Sequence, residues 1–218
     1  MKGIFMHIDT LILGAYENNS YVVRKDSQAK DCLIIDTGLD AGPLTSFLQS
    51  NDLNPVAIVL THGHADHIAG VGPLREMFPE IKVCIHKADA GMLSDSASNL
   101  SMLSGVSIVT GDAEVVIEGE GPIEYAGIKL QVIHTPGHTP GGICLYNEEE
   151  KILFSGDTLF CGSIGRTDFG GYDEQKCFEQ LINNIKTKLV ILPEDTKVLS
   201  GHGPATTIRN EKKHNPYL

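Results

Sequence analysis

Four potential metal ligands lie within six consecutive residues, and this cluster constrains the chain more than any other feature of its sequence. The segment THGHADH, residues 61–67, contains His62, His64, Asp66 and His67. It follows an apolar run, residues 56–60, that predicts a buried strand. Side chains two residues apart on an extended segment point the same way, so His62 and His64 can reach one metal ion. Asp66 and His67 lie at the turn into a predicted helix and can bind a neighbouring ion.

Three more segments place a ligand-type side chain in a loop rich in glycine and proline, next to a predicted strand. They are TPGHTPG at 135–141, SGDT at 155–158 and SGHGP at 200–204, which carry His138, Asp157 and His202. Loops at strand ends often carry functional residues. Each segment alone is a weak signal, but with the first cluster they complete a set. Imidazole and carboxylate are typical ligands of zinc and similar divalent metals.

The rest of the chain reads as an alternation of strands and helices. Apolar runs bounded by turn residues predict strands, and helical spacing predicts helices. The predicted strands are 4–13, 20–25, 32–36, 56–60, 82–85, 114–118, 122–126, 128–133, 142–146, 151–155 and 197–200. The predicted helices are 43–51, 67–78, 86–104 and 173–189. This order favours an α/β fold with two sheets packed face to face and helices outside, in a single domain of residues 1–218.

Composition narrows the class of partner. A formal net charge of −11 argues against binding nucleic acid, and no apolar run is long enough to span a membrane. The first nine residues include His7 and Asp9 and lack the apolar core of an export signal, which predicts a cytoplasmic protein. Five dispersed cysteines then read as reduced thiols. The expected partner is a small-molecule substrate, and the sequence predicts no oligomeric state.

The ordered ligand set resembles that of the metallo-β-lactamase superfamily. The resemblance implies an αββα sandwich of two mixed β-sheets with outer helices, and a site for two divalent metal ions, with zinc expected and iron or manganese as alternatives. It assigns His62, His64 and His138 to the first ion. It assigns Asp66, His67 and His202 to the second, with Asp157 bridging both.

Other motifs are similar to the glyoxalase II group of this superfamily. They are NNSYVV at 18–23, GSIGRTD at 162–168 and the tail from residue 201 to 218. The aspartate at position 157 argues against antibiotic hydrolysis, because β-lactamases of this fold lack it. The chain ends sixteen residues after His202, so we expect no C-terminal helical domain of the kind that holds glutathione in longer members. Lys212 and Lys213 are the candidates for contact with an anionic substrate.

The resemblance implies a thioester hydrolase that acts through a hydroxide shared by the two metals and oriented by Asp66, the expected catalytic residue. A thiolate leaves without a proton donor, which suits a site with no evident general acid. The alternative is a persulfide dioxygenase, whose GRTDF segment is matched at 165–169 and whose single iron would use His62, His138 and Asp157. A second alternative is a metal-binding protein without catalytic activity.

Overall fold

The first half of the chain builds a six-stranded mixed sheet. The computed structural model describes residues 6–169 and 173–218. The strands of this sheet are β1 His7–Leu13, β2 Asn18–Arg24, β3 Asp31–Ile35, β4 Asn54–Val59, β5 Lys82–His86 and β6 Val115–Ile117, in that spatial order. Strand β2 is antiparallel to both β1 and β3, and β3 to β6 run parallel.

The second half builds another six-stranded mixed sheet. Its strands are β7 Gly121–Tyr125, β8 Ile128–His134, β9 Ile143–Asn147, β10 Ile152–Gly156, β13 Lys197–Ser200 and β14 Thr206–Thr207, in the order β14-β13-β10-β9-β8-β7. A small hairpin, β11 Leu159–Phe160 and β12 Ser163–Ile164, follows β10. The pair β10 and β13 is parallel, and the other pairs are antiparallel.

Helices cover the outer face of each sheet. They are α1 Gly42–Ser50, α2 Ala65–Ile68, α3 Val71–Met77, α4 Glu174–Asn184 and α5 Ile208–His214. One buried cluster lies between the sheets and joins residues of both, such as Leu33 and Phe154. A second joins the first sheet to α1 and α3 through residues such as Leu48 and Leu74. A third packs α4 and α5 on the second sheet. The layers are therefore αββα, which confirms the predicted fold class.

The strands lie close to where the sequence pattern predicts them, and the clearest errors concern helices. The first predicted strand, 4–13, is observed from His7 to Leu13, and its residues 4 and 5 lie outside the described residues. The helix predicted at 67–78 is divided into α2 and α3. The carbonyl of His67 accepts hydrogen bonds from the amide and the hydroxyl of Thr37, at 2.8 and 2.9 Å, instead of extending the helix.

The prediction of a helix at 86–104 is wrong. The segment contains two short 3₁₀ helices, Ala90–Ser94 and Ser101–Ser104, joined by turns. The Asp95 carboxylate accepts hydrogen bonds from Ala97 and Ser98, and such local bonds compete with a regular helix. Leu100 has a left-handed backbone, which also interrupts the helix. The two elements that follow β13, which are β14 and α5, were not predicted from the sequence pattern.

Candidate metal centre

The predicted ligands meet at one end of the two sheets. His62 follows β4, His138 follows β8, Asp157 follows β10 and His202 follows β13. Asp66 and His67 belong to the short helix α2, which begins just after His64. The structure brings all seven residues together in overlapping groups whose ligand atoms lie within 4.8 Å of one another. Loops from both halves of the chain thus supply one site.

Three histidines form the first ligand group. His62 Nε2 lies 3.1 Å from His64 Nδ1 and 3.2 Å from His138 Nε2, and the last two atoms are 2.9 Å apart. All three side chains are buried. The three nitrogens thus form a small triangle, and they belong to the residues that the family resemblance assigns to the first ion.

Asp66, His67 and His202 form the second ligand group. His202 Nε2 lies 3.2 Å from Asp66 Oδ2 and 3.3 Å from His67 Nε2. The Asp157 carboxylate lies between the two groups, with one oxygen 3.4 Å from His67 Nε2 and the other 3.5 Å from His138 Nε2 and 3.6 Å from His202 Nε2. The carboxylate of Asp157 is therefore close to ring nitrogens of both groups.

The opposite nitrogen of several imidazoles is held by a hydrogen bond, which fixes the ring. His67 Nδ1 lies 2.8 Å from Asp36 Oδ2, His138 Nδ1 lies 2.8 Å from the carbonyl of Arg166, and His202 Nδ1 lies 2.8 Å from the carbonyl of Tyr16. Asp36 also accepts hydrogen bonds from the amide and hydroxyl of Thr61. Partners of this kind orient metal ligands and select their tautomers. Asp36 has no role in the prediction from the sequence, although its place at the end of an apolar strand was a signal for one.

Asp89 is a second residue that the sequence analysis missed. It is buried, and its carboxylate accepts hydrogen bonds from the Gly63 amide at 3.1 Å, the Thr139 hydroxyl at 2.7 Å and the Gly141 amide at 2.6 Å. Gly63 lies between two ligands of the first group, and Thr139 follows the third. Asp89 therefore ties together the two loops that carry this group. It lies in the segment wrongly predicted as a helix, which concealed this role.

Two glycines let the backbone approach Asp157 closely. A Cβ atom on Gly201 would lie well inside van der Waals contact of Asp157 Oδ1 and 2.7 Å from His67 Cε1. A Cβ atom on Gly165 would collide with the Asp157 carbonyl oxygen. Any larger residue at either position would displace the carboxylate or its loop.

The two groups differ in their affinity for protons. Burial and the neighbouring imidazoles lower the pKa of His62, and they lower the pKa of His64 to about 3. Burial would also lower the pKa of His67, but the carboxylates of Asp36, Asp157 and Asp66 raise it well above its usual value. The first group therefore presents neutral imidazoles at neutral pH, the form that binds metals.

The carboxylates of the centre are ionised at neutral pH. Burial alone would raise the pKa of Asp157, but the charges of the adjacent histidines, that of His67 above all, outweigh it and hold that pKa far below its usual range. The same competition, between burial and the histidines at positions 67 and 202, lowers the pKa of Asp66. Asp66 and Asp157 are thus available as anionic ligands.

The donor set fits divalent metal ions. Buried Asp157 Oδ1 has no hydrogen-bond partner among the described residues, and buried polar atoms are rarely left so. In the first group, three ring nitrogens face one another, and a shared cation would satisfy their lone pairs together. Imidazole and carboxylate ligands suit zinc, iron and manganese.

A cavity of about 440 Å³ opens onto the centre. Its lining includes Asp66, His64, His138, Asp157 and His202, together with Arg166 and several apolar residues. The substrate candidates Lys212 and Lys213 are not among the described residues that line it. Lys212 instead pairs with Glu194 at 3.2 Å, so the geometry gives no support to a substrate contact there.

The sequence profile of the metallo-β-lactamase superfamily matches residues 13–202. The chain belongs to this superfamily, which confirms the resemblance. It is 38% identical to the probable metallo-hydrolase YqgX of Bacillus subtilis over 207 residues, which cover 94% of each chain. It is 35% identical to the hydroxyacylglutathione hydrolase GloC of Haemophilus influenzae over 216 residues, which cover 98% of each.

Solved structures share the fold at similar levels. BLEG-1, described as a B3 metallo-β-lactamase, is 41% identical with a TM-score of 0.90, covering 97% of this chain and 99% of its own. TTHA1623, solved in a di-iron-bound form, is 35% identical with a TM-score of 0.83, covering 96% and 100%. ETHE1 from Myxococcus xanthus is 26% identical with a TM-score of 0.76, covering 96% and 83%.

These relationships place the chain in a superfamily of metallo-hydrolases.

In the part of the chain that the structure describes, residues 6–169 and 173–218, no helix is both long enough and apolar enough to cross a membrane.

Proposed function

We propose that the protein is a thioester hydrolase that uses two divalent metal ions, with zinc as the expected metal. The observation that carries the proposal is the position of Asp157, whose carboxylate lies within 3.6 Å of ring nitrogens from both ligand groups. The likeness to GloC, which covers nearly the whole of both chains, supports the choice of thioesters. The di-iron form of TTHA1623 makes iron the first alternative to zinc.

The ligand residues would hold the first ion by His62, His64 and His138, the second by Asp66, His67 and His202, and both by Asp157. Two divalent cations held there would lower the pKa of a water molecule and would stabilise negative charge on a substrate carbonyl oxygen. Asp66 lines the cavity, and its pKa is lowered. Its carboxylate can therefore accept a hydrogen bond from the attacking water and hold it towards the acyl carbon.

The reaction adds water across the C–S bond. The oxygen of water forms the new bond to the acyl carbon, the bond from that carbon to sulfur breaks, and the products are a carboxylic acid and a thiol. Because an ordinary thiol has a pKa of about 8.5, the sulfur can leave as a thiolate without protonation. No residue is needed as a general acid.

Hydroxyacyl thioesters such as lactoylglutathione are the substrates we propose to test first. The lysines at positions 212 and 213 do not line the cavity, so few contacts would hold the thiol portion. Distant binding contacts lower the barrier by positioning the reacting group. We therefore expect weak saturation and tolerance of thiols other than glutathione.

Metal content and activity together test the proposal. Elemental analysis of the purified protein is expected to give two transition-metal ions per chain, His202→Ala to retain mainly the first, and Asp157→Ala to lose both. Asp66→Asn is expected to lower kcat by orders of magnitude with the fold intact. Full activity of that variant would remove Asp66 from the mechanism, and its unfolding would make the role of Asp66 structural.

A persulfide dioxygenase is the second candidate, and the likeness to ETHE1 together with the GRTDF segment at 165–169 favours it. This reading needs one iron, which leaves the complete second ligand group without a role. Two results together would favour the dioxygenase. They are one iron per chain even after expression with added zinc, and oxygen uptake on glutathione persulfide without thioesterase activity.

Because BLEG-1 is described as a β-lactamase, the substrate panel also includes nitrocefin. Efficient β-lactam cleavage without thioesterase activity would overturn the proposal.

A further inference from the structure

Part of the cavity lining is apolar. The apolar wall consists of Leu39, Leu100, Leu103, Val106, Ile108 and Phe160. Most of it comes from the segment that contains the 3₁₀ helix Ser101–Ser104. Five ligand residues line the same cavity, and the ring of the wall residue Phe160 lies 6.3 Å from that of His202, so a molecule bound at the metal centre occupies a space that this wall also lines.

The wall includes side chains that are unusually exposed for their type. The Leu103 residue is 82% exposed and Val106 is 50% exposed, although both line the cavity. Covering apolar area of this kind is favourable by roughly 25 cal/mol per Å². An apolar group of a ligand that packs against these residues would therefore bind more tightly, because it removes their exposed apolar surface from water.

The cavity offers little to an anionic group away from the metal ligands. Arg166 is the only lysine or arginine among the described residues that line it. Its guanidinium already binds both oxygens of Asp168, at 2.8 and 2.9 Å, and lies 5.0 Å from the centre of the Phe169 ring. The two carboxylates of a glutathione moiety would thus find no unpaired arginine or lysine among the described residues of the lining.

We propose that the apolar wall binds an aliphatic chain carried by the thioester, so that the substrates are thioesters with an apolar substituent rather than glutathione thioesters as a class. The inference rests on the proposed thioesterase function. The chain can be attached on the acyl side or on the sulfur side of the scissile bond, and both present the same hydrocarbon to the wall.

Two substrate series separate these sides. The first varies the acyl group from acetyl to octanoyl on N-acetylcysteamine, and the second varies the thiol from ethanethiol to octanethiol on an acetyl group. In one series we expect kcat/KM to rise by about tenfold or more with chain length, as methylene groups enter an apolar pocket. Calorimetric binding of carboxylates from acetate to octanoate measures the wall without turnover.

The chain provides matched control variants. Leu103→Ser and Val106→Ser remove wall residues, whereas Met102→Ser and Val109→Ser change exposed residues of the same segment that do not line the cavity. Met102 is 60% exposed and Val109 is 59% exposed, so none of the four changes disturbs the core. We expect the wall variants to lose most of the dependence on chain length and the controls to keep it.

Each outcome decides the matter. A rise in either series that is lost only in the wall variants supports the inference and identifies the side. Thioester hydrolysis that is flat in both series, or wall variants that behave like the controls, overturns it and leaves the proposed function intact. Absence of thioesterase activity with octanoate binding that depends on Leu103 overturns the proposed function but supports the wall. Absence of both overturns both.

Discussion

The substitution Asp89→Asn tests a residue that makes no hydrogen bond to a ligand side chain. The question is whether Asp89 nevertheless sets the affinity of the first ligand group for metal. The carboxylate of Asp89 holds Gly63, between His62 and His64, and also holds Thr139 and Gly141 in the loop of His138. Asparagine has the same shape but presents only one acceptor oxygen. If that oxygen keeps the bonds from Gly63 and Thr139, the amide group faces the Gly141 N–H, and two donors oppose each other.

The cost follows from the lost bond. A hydrogen bond to a charged group contributes about 1.5–3 kcal/mol. Burial raises the pKa of Asp89, so the neutral amide regains part of the cost of burying the charge. A net loss of about 1–2 kcal/mol corresponds to a Tm lower by roughly 2–8 °C for a chain of this size. Loosening both loops should also weaken metal binding to the first group about tenfold, at the lower end of the effect of outer-shell partners.

The assay isolates the first group. In an Asp66→Ala/His202→Ala background the second group keeps only His67 of its three residues, and zinc binding is measured by competition with a chromophoric chelator. Asp95→Asn is the matched control, because Asp95 also accepts local hydrogen bonds but is exposed. A lower Tm with unchanged zinc affinity in Asp89→Asn would refute the positioning role and leave only a structural one.

Two further substitutions test other parts of the structure. Gly201→Ala places a methyl group against Asp157, so we expect this variant to lose bound metal in elemental analysis. The control is Gly72→Ala, whose added Cβ has no atom within 4 Å and which should keep both ions. Full metal content in Gly201→Ala would contradict the packing argument. Burial alone would raise the pKa of Glu211, but the hydrogen bonds donated to its carboxylate outweigh burial and lower that pKa. Ionised Glu211 therefore stabilises the folded protein fully above its unfolded pKa of about 4.3, and this contribution is lost as pH falls through the lower pKa of the folded state. In urea unfolding of the metal-free protein, the deficit of Glu211→Gln should be about 1–3 kcal/mol at neutral pH and shrink in acid, and a deficit independent of pH would refute the assignment.

The ligand residues could be predicted because they follow strands that the apolar pattern reveals. The run at 56–60 and the cluster at 61–67 together fix both a strand end and the ligands that leave it. His138, Asp157 and His202 each follow a correctly predicted strand as well. Sequence spacing alone could not bring these distant loops together, and their association came from the family resemblance. The structure shows the physical basis, since the strands pair or pack so that their ends meet.

The residues that the sequence did not reveal act through contacts distant in sequence. Asp36 and His67 are 31 positions apart, and Asp89 and Gly141 are 52 apart, so no local periodicity records either pair. The same reason explains the break between α2 and α3, where Thr37 captures the carbonyl of His67. The apolar wall was concealed differently. Of its residues only Leu103 lies in a 3₁₀ helix, and Leu100, Val106 and Ile108 lie in irregular chain next to that helix, where hydrophobic spacing has no regular period.

The histidines of the two ligand groups differ in protonation before a metal ion binds. Around the first group, burial and neighbouring imidazoles lower the pKa values of His62 and His64, so these ligands hold no proton that a cation must displace. Around the second, carboxylates raise the pKa values of His67 and His202 even though burial opposes them. The negative charge that attracts a cation there also attracts protons. A cation entering the second group therefore replaces positive charge that the metal-free protein already carries, whereas one entering the first group brings positive charge to a site that carries none.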